Sequence, residues 1–482
     1  MRPTVFNSIK WTTCSTFANL LAKLGQVAIL TRYLAKEDFG VVSIALLFIS
    51  FTEVFVDMGF SAAVLHKQNI TKEEYSSLYW FNIITGIILY FVLVLATPII
   101  AGYYKQDVLK DIIPILSLNV IFSSFSRLQR TIQQKNLKFN IIAYIDISAS
   151  VVMIVSAIVF TVMQKGVFAL VYSTVLYQFV IAVVYLIYAI FVEKNIYFHL
   201  RFSEIRDYFR IGIYQVGSSL LNFLSAEMDI LIISSVYSME ILGAYTICKQ
   251  LASKVYGVIN PIITKVLTPT LALAQENIVD LRSKFMRSIR MISFINSPIY
   301  FTLILVAPLV LLIVYGESYV SYDMLFSVFC LNYIITAIGN PQGSLLVAVG
   351  RTDKAFYWTI FRIVVTAVSL YLGSRFSILV LAVVLLLVNV ISIIPEVWYI
   401  YKPILKVSVS EYFGNFIKPI LVCIVLLPIS LSRLLPLNQY VLCAIIGVLF
   451  FIGYVLLSRI INKSEYKELA NFLPEKVSRY MI

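Results

Sequence analysis

The chain has 482 residues, of which 60% are hydrophobic and only 13% are charged. Soluble domains contain about 25% charged residues, so this composition excludes a protein built mainly of soluble domains. The formal net charge is +13. Because the basic residues are dispersed among short turns between apolar runs, we assign this excess to anionic lipid head groups and expect no nucleic-acid partner.

Apolar runs of about twenty residues follow one another from Ile9 to Ile461. A helix needs a run of this length to cross the hydrocarbon core of about 30 Å. We therefore predict an all-α integral membrane protein with about fourteen transmembrane helices. The predicted spans, with ends defined to within about four residues, are 10–33, 41–64, 79–101, 112–132, 140–163, 167–192, 209–236, 241–268, 289–315, 321–349, 355–373, 377–400, 415–433 and 438–461.

The distribution of basic residues predicts the orientation. Most Lys and Arg residues lie near the N-terminus, in the turns after even-numbered spans and in the C-terminal tail. By the positive-inside rule, this predicts a multi-pass membrane protein with both termini in the cytoplasm. The turns on the opposite side are short, as at residues 237–240. Short outer turns speak against a membrane glycosyltransferase or polymerase, which needs a large external loop.

The sequence contains no motif for catalysis or for cofactor binding. His66 and His199 are its two histidines, and no set of His, Cys, Asp and Glu has the spacing of metal ligands. No phosphate-binding loop and no nucleophile elbow occur. The five cysteines lie within spans without paired spacing, so we interpret them as packing residues. We expect no enzymatic activity, no metal and no cofactor, and we interpret the chain as a carrier.

A short repeat relates two halves of the chain. Residues 37–44 read EDFGVVSI and residues 240–247 read EILGAYTI, so an offset of 203 superposes Glu, Gly and the final Ile. Copies six spans apart have the same orientation, as in transporters with parallel repeats. We predict a six-helix lobe at 1–200, a second six-helix lobe at 201–400, and two extra transmembrane helices with a cytoplasmic tail at 401–482. The substrate is expected between the lobes.

Ionisable residues inside spans point to the function, because each costs about 2.5–3.5 kcal/mol when it faces lipid. The residues that we assign to a watery cavity are the cations Lys23, Lys249 and Lys254, the acids Glu53, Asp57, Glu227 and Asp229, and the polar residues Asn19, Gln26 and Asn222. The acids would pair with the lysines in the empty protein or couple transport to an ion. Purely internal ion pairing stays open for Glu53, Glu227 and Lys249. Asp146 and Arg362 are interpreted as structural.

Short motifs also occur in a recognisable order along residues 1–400. They are TRYLAKEDFG at 31–40, DMG at 57–59, KNLKF at 135–139, Asp229 with GAY at 243–245, and VGR at 349–351. In this order and spacing the chain resembles the Wzx-type lipid-linked oligosaccharide flippases. These belong to the multidrug/oligosaccharidyl-lipid/polysaccharide exporter superfamily, and the likeness is to its colanic and teichuronic acid exporters.

The resemblance implies a two-lobed bundle that alternates between inward-open and outward-open states. Such a flippase would move an undecaprenyl-diphosphate-linked glycan repeat unit across the inner membrane for surface polysaccharide synthesis, alongside the polymerase and glycosyltransferases of the same pathway. It also implies Lys23, Lys249 and Lys254 as partners of the diphosphate. Lysines do not clamp phosphate in the bidentate manner of arginine. The alternative is a multidrug or cation antiporter of the same fold, which would need an acidic rather than a mixed pocket.

Overall fold

The computed structural model describes residues 2–67, 70–193, 197–429, 439–463 and 465–466. All regular secondary structure within these residues is helical, which confirms the predicted all-α class. Twelve described helices are long and apolar enough to cross a membrane. The predicted number of fourteen is therefore not confirmed. The two long helices outside the twelve, α1 (Arg2–Leu30) and α9 (Met239–Ala272), carry Lys23, Lys249 and Lys254.

The chain divides into two compact units, Met1–Thr246 and Ile247–Ile482. The division falls inside α9, so the first residues of this helix belong to the N-terminal unit and the rest to the C-terminal unit. The predicted lobe boundaries at residues 200 and 400 stay a prediction. Residues 467–482 of the predicted tail lie outside the described residues.

The N-terminal unit is built around the helix α5. Besides α1 and the start of α9, its described α-helices are α2 (Lys36–Val56), α3 (Phe60–His66), α4 (Lys72–Tyr104), α5 (Leu109–Lys135), α6 (Phe139–Val162), α7 (Phe168–Tyr188) and α8 (Phe202–Val236). Helix α5 packs against α2, α4 and α7, while α1 packs along α6, and α8 contacts α2, α3 and α4. Both α2 and α6 therefore lie close to α5.

The predicted second span, 41–64, is wrong as a single helix. The helix α2 ends at Val56 and α3 begins at Phe60. Between them Met58 and Gly59 have φ values of 43° and 73°. A glycine adopts this left-handed conformation without the steric cost of a Cβ, so the Met-Gly pair ends the helix even though the surrounding sequence stays apolar.

The C-terminal unit is arranged around α10. Its described α-helices after α9 are α10 (Ile278–Leu305), α11 (Ala307–Tyr315), α12 (Asp323–Gly339), α13 (Pro341–Ala348), α14 (Thr352–Gly373), α15 (Ile378–Glu396), α16 (Lys402–Leu405), α17 (Val409–Leu426) and α18 (Gln439–Ile461). Helix α10 packs against α12, α17 and α18, and α15 packs against α12 and α14.

The predicted span 289–315 is also interrupted, at Val306 between α10 and α11. The predicted span 321–349 lies within one candidate membrane span, Glu317–Ala348, in which a second, one-residue break separates α12 from α13 at Asn340, whose φ of −57° and ψ of −35° stay helical. The second break falls in the stretch Gly-Asn-Pro-Gln-Gly at 339–343, where two glycines and a proline in one span predict a hinge. Pro341 is the first residue of α13. The first N–H groups of a helix have no acceptor within the helix, so a proline at this position costs no hydrogen bond. Motion at this break stays a prediction.

The outer surface of the helices is suited to lipid. On α4, for example, Leu95 and Ile99 are each 77% exposed. Because helices satisfy their backbone hydrogen bonds internally, such apolar faces can meet hydrocarbon directly. Together with the twelve candidate spans, this describes a multi-pass membrane protein.

Candidate functional site

Helix α5 carries two arginines that reach carboxylates on neighbouring helices. Arg127 Nη2 lies 3.6 Å from Glu53 Oε2 on α2. Arg130 donates from Nη1 and Nη2 to the two carboxylate oxygens of Asp146 on α6, each at 2.8 Å. A bidentate pair of this kind is among the strongest ion pairs in proteins. It leaves the Asp146 side chain only 3% exposed.

Sequence reasoning missed both arginines, because it grouped them with the basic turn that follows the fourth span. One signal could have identified them. Arg127 and Arg130 are three residues apart, so they lie on one face of a helix, and both fall within the predicted span 112–132. Two cations on one face inside a span call for acidic partners on adjacent helices.

Lys23 adds a third cation to this group. Its side chain is exposed, and its Nζ lies 5.7 Å from the ring centroid of Tyr177 on α7. It interacts electrostatically with Asp146, Arg130 and Glu53, yet no carboxylate among the described residues lies within ion-pair distance of it. We call Lys23, Glu53, Arg127, Arg130 and Asp146 the charged cluster. When all five are ionised, its three cations outnumber its two acids.

Asn19 and Gln26, two of the predicted cavity residues, lie before and after Lys23 on α1. Their side chains join α1 to α6 and α7. Asn19 accepts hydrogen bonds from Ser150 on α6 and, at 3.4 Å, from the Tyr177 hydroxyl. Gln26, which is 5% exposed, donates to Ser173 on α7 at 2.7 Å. Both side chains therefore contact the interior of the N-terminal unit. They position Lys23 beside Tyr177 and close to the other four residues of the charged cluster.

Two of the predicted cavity acids have local partners. Asp57 ends α2 and accepts hydrogen bonds from the hydroxyl and the backbone N–H of Ser61 on α3. Asp229 on α8 is buried and accepts a 2.6 Å hydrogen bond from the hydroxyl of Tyr245 on α9. These contacts join α2 to α3 and α8 to α9.

The other predicted site residues fall in different compact units. Glu227 is half-buried and Asn222 is exposed, both on α8 of the N-terminal unit. Lys249 and Lys254 are half-buried on the part of α9 that belongs to the C-terminal unit. A cavity that these residues share with Lys23 stays a prediction.

A chain of amide side chains contacts one of the cations of the C-terminal unit. In the C-terminal unit, Arg362 on α14 donates from Nη2 to the Asn389 amide oxygen on α15. Asn389 in turn donates from Nδ2 to the Asn332 amide oxygen on α12 at 2.6 Å. This chain of amides joins three helices and holds an arginine without a carboxylate in hydrogen-bond contact.

The two copies of the sequence repeat meet each other. A Cβ on Gly40 would lie 2.0 Å from the carbonyl oxygen of Met239, and a Cβ on Gly243 would lie 1.9 Å from that of Lys36. Positions 36 and 40 correspond to 239 and 243 at the repeat offset, so the contact is reciprocal. Lys36 Nζ also lies 3.4 Å from Glu240 Oε1. No other residue fits at the two glycines without moving the backbone.

Comparison with known proteins gives one family and several relatives. The family model described as "Polysaccharide biosynthesis protein" matches residues 29–324. The chain is 29% identical to the teichuronic acid biosynthesis protein TuaB of Bacillus subtilis (strain 168), over 82% of each chain. It is 25% identical to the lipopolysaccharide biosynthesis protein WzxC of Escherichia coli (strain K12), over 84% of this chain and 82% of WzxC.

A solved structure shares the fold. The lipid II flippase MurJ in an inward closed conformation superposes with a TM-score of 0.70, covering 94% of this chain and 99% of MurJ. The sequences are 13% identical. At this identity the likeness shows a common fold.

Proposed function

Because the chain belongs to the polysaccharide biosynthesis protein family of exporters, we propose that it is a flippase for undecaprenyl-diphosphate-linked oligosaccharide repeat units. It carries them across the bacterial cytoplasmic membrane for surface polysaccharide synthesis. It does so without enzymatic chemistry, and both of its termini lie in the cytoplasm. The names of TuaB and WzxC, which refer to surface polymers, support this substrate class.

The observation that carries the proposal is the charged cluster. A cation inside a membrane is costly unless an anion compensates it. Arg127 and Arg130 each have a carboxylate partner, whereas Lys23 is exposed and lies outside ion-pair distance of the described carboxylates. A diphosphate head group supplies the missing negative charge. In this proposal Lys23, Lys249 and Lys254 bind the diphosphate, and Glu53 competes with it for Arg127.

The reciprocal glycine contact supports alternating access. Close packing of Gly40 on Met239 and of Gly243 on Lys36 shuts the ends of α2 and α9 against each other. Under the proposed topology this end faces outward, so the contact has to separate when the substrate is released. An ion pair between Lys36 and Glu240 spans the same contact, and the Glu240 side chain is 60% exposed, so this pair adds little resistance to opening.

The test of the proposed site is the replacement of Lys23 with Ala in cells that depend on this gene. We expect surface glycan to fall about tenfold, since a hydrogen bond to a charged group contributes about 1.5–3 kcal/mol. Lys23→Arg should retain much of the transport because it keeps the charge. Lys165→Ala is the matched control, since Lys165 is exposed in the turn between α6 and α7. Unchanged glycan in Lys23→Ala cells at normal protein levels would remove Lys23 from the mechanism.

The test of alternating access is a disulfide between Lys36→Cys and Glu240→Cys. The exposed Cys14 is first replaced with Ser, and the other four cysteines are buried. Oxidation should stop transport, and a reductant should restore it. Transport that continues in the fully cross-linked protein would show that this contact does not have to open.

Two measurements separate the alternatives. A deletion strain with altered drug susceptibility and normal surface glycan would favour the multidrug or cation antiporter. Glycosyl transfer by the purified protein would contradict a purely transporting role.

A further inference from the structure

A cavity of about 540 Å³ lies at the beginning of α10 in the C-terminal unit. Its walls come from the first turns of α10, from the turn between α16 and α17, and from α17. Three cationic residues line it, Arg282, Arg290 and Lys406, together with Glu411 and Asn415. None of the residues of the charged cluster takes part.

Each of the three cations keeps hydrogen-bond donors available. Arg282 uses Nε and Nη2 to bind Glu411 at 2.6–3.1 Å, which leaves Nη1. Arg290 donates Nη1 to Asn415, and its Nε lies 3.4 Å from Glu465, which leaves Nη2. Lys406 is exposed and has no ionic partner among the described residues. Glu411 pairs with Arg282 and Glu465 pairs with Arg290. The positive charge of Lys406 is therefore in excess.

This arrangement suits a phosphate group. A phosphate diester carries one negative charge and several acceptor oxygens, and guanidinium and ammonium groups are its usual partners. One uncompensated cation with two further guanidinium N–H donors matches that charge and that number of acceptors.

Exposed apolar side chains beside the cations point to a lipid as the source of the phosphate. In the first turn of α10, Val279 is 73% exposed and Ile278 is 39% exposed, and both line the cavity. The positive-inside rule places this end of α10 at the cytoplasmic leaflet. Cations next to an apolar surface at this depth match the boundary between head groups and acyl chains.

We propose that this cavity binds the phosphate of an anionic glycerophospholipid of the inner leaflet, with an acyl chain over Ile278 and Val279. The site is separate from substrate transport. Its test counts bound lipid rather than transported glycan, so it can fail or succeed independently of the proposed flippase activity.

The experiment titrates the delipidated full-length protein with phosphatidylglycerol or phosphatidylcholine of the same acyl chains, observed by native mass spectrometry. We expect specific binding of phosphatidylglycerol, weakened about fivefold by Lys406→Gln, the contribution of one cation near a membrane surface. Lys284→Gln is the matched control, because it removes the same charge from α10, a helix that lines the cavity, while Lys284 itself pairs with Asp280 and does not line the cavity.

A second variant keeps the test independent of folding. The double change Arg282→Gln and Glu411→Gln removes both partners of an ion pair together, and it should also weaken phosphatidylglycerol binding while the protein stays monodisperse. Three results would overturn the proposal: equal binding of the two lipids, equal effects of Lys406→Gln and Lys284→Gln, or unchanged affinity in the cavity variants. Inorganic phosphate that binds as tightly as the lipid would assign the cavity to a soluble ligand and also overturn it.

Discussion

The two compact units place polar groups inside the membrane in different ways. The N-terminal unit holds ionised pairs, of which Arg130 with Asp146 is bidentate. In the C-terminal unit, Arg362 is held by amides, in a chain from Asn389 to Asn332. An ion pair can exchange its carboxylate for an incoming anion, whereas Asn389 gives Arg362 an uncharged acceptor. Under the proposed function we therefore expect the response to an anionic substrate in the charged cluster, and we interpret the amide chain of α12, α14 and α15 as structural.

The largest expected effect comes from breaking the buried pair in the N-terminal unit. Arg130→Met should lower the free energy of unfolding by about 3–5 kcal/mol, because it leaves the carboxylate of Asp146, whose side chain is 3% exposed, without its cation. Thermal unfolding of the purified protein in detergent measures this loss. Adding Asp146→Leu to the variant should recover much of it.

Arg127→Met is the control within the same cluster. Its partner Glu53 is 35% exposed, compared with 3% for Asp146, so we expect a smaller loss than for Arg130→Met. Equal losses for Arg127→Met and Arg130→Met would show that burial does not distinguish the two pairs.

Backbone packing at α9 gives the next effect. Gly243→Ala should destabilise the protein by about 1–3 kcal/mol, because its Cβ would lie 1.9 Å from the Lys36 carbonyl oxygen and the backbone has to move. Gly257, on the part of α9 in the C-terminal unit, has open space around its Cβ position. Gly257→Ala should therefore stabilise the helix by about 0.5–1 kcal/mol. Unfolding midpoints that shift in the same direction would contradict the close contact at Gly243.

The amide chain of the C-terminal unit should respond more weakly than the buried ion pair. Asn389→Leu removes the acceptor of Arg362 and the donor to Asn332, and we expect a loss of about 1–3 kcal/mol. Asn389→Asp supplies a carboxylate instead and should retain most of the stability. If the two variants unfold at the same temperature, the hydrogen bond to Arg362 contributes little.

The smallest expected effect concerns a single hydrogen bond. The Tyr300 hydroxyl on α10 donates to the Ala252 carbonyl oxygen on α9 at 3.0 Å, and its ring stacks on Tyr333. Tyr300→Phe keeps the ring and should cost about 1 kcal/mol of stability. Tyr300→Leu also loses the stacking and should cost more, so a smaller loss for Leu than for Phe would contradict this assignment.

The sequence predicted the helical membrane architecture and the exporter family, and both are confirmed. The architecture was predictable because apolar runs have to match the thickness of the bilayer. The sequence was less informative about where a helix is interrupted. The stretch Gly-Asn-Pro-Gln-Gly marks the end of α12 clearly, whereas Met58 and Gly59 interrupt a predicted span with few polar residues as a signal. The assignment of cavity residues stays a prediction.

By itself the sequence determined which side chains share a helix face, because that follows from 3.6 residues per turn. Helix periodicity puts Asn19 on the same face as Lys23, and it also puts Arg127 on the same face as Arg130, a signal that the sequence prediction did not use. Only the tertiary structure decided that α5 faces Glu53 of α2 and Asp146 of α6, and that Gly40 and Gly243 pack on each other's helices. The physical reason is that periodicity describes one helix, whereas an ion pair or a backbone contact depends on which second helix packs opposite it.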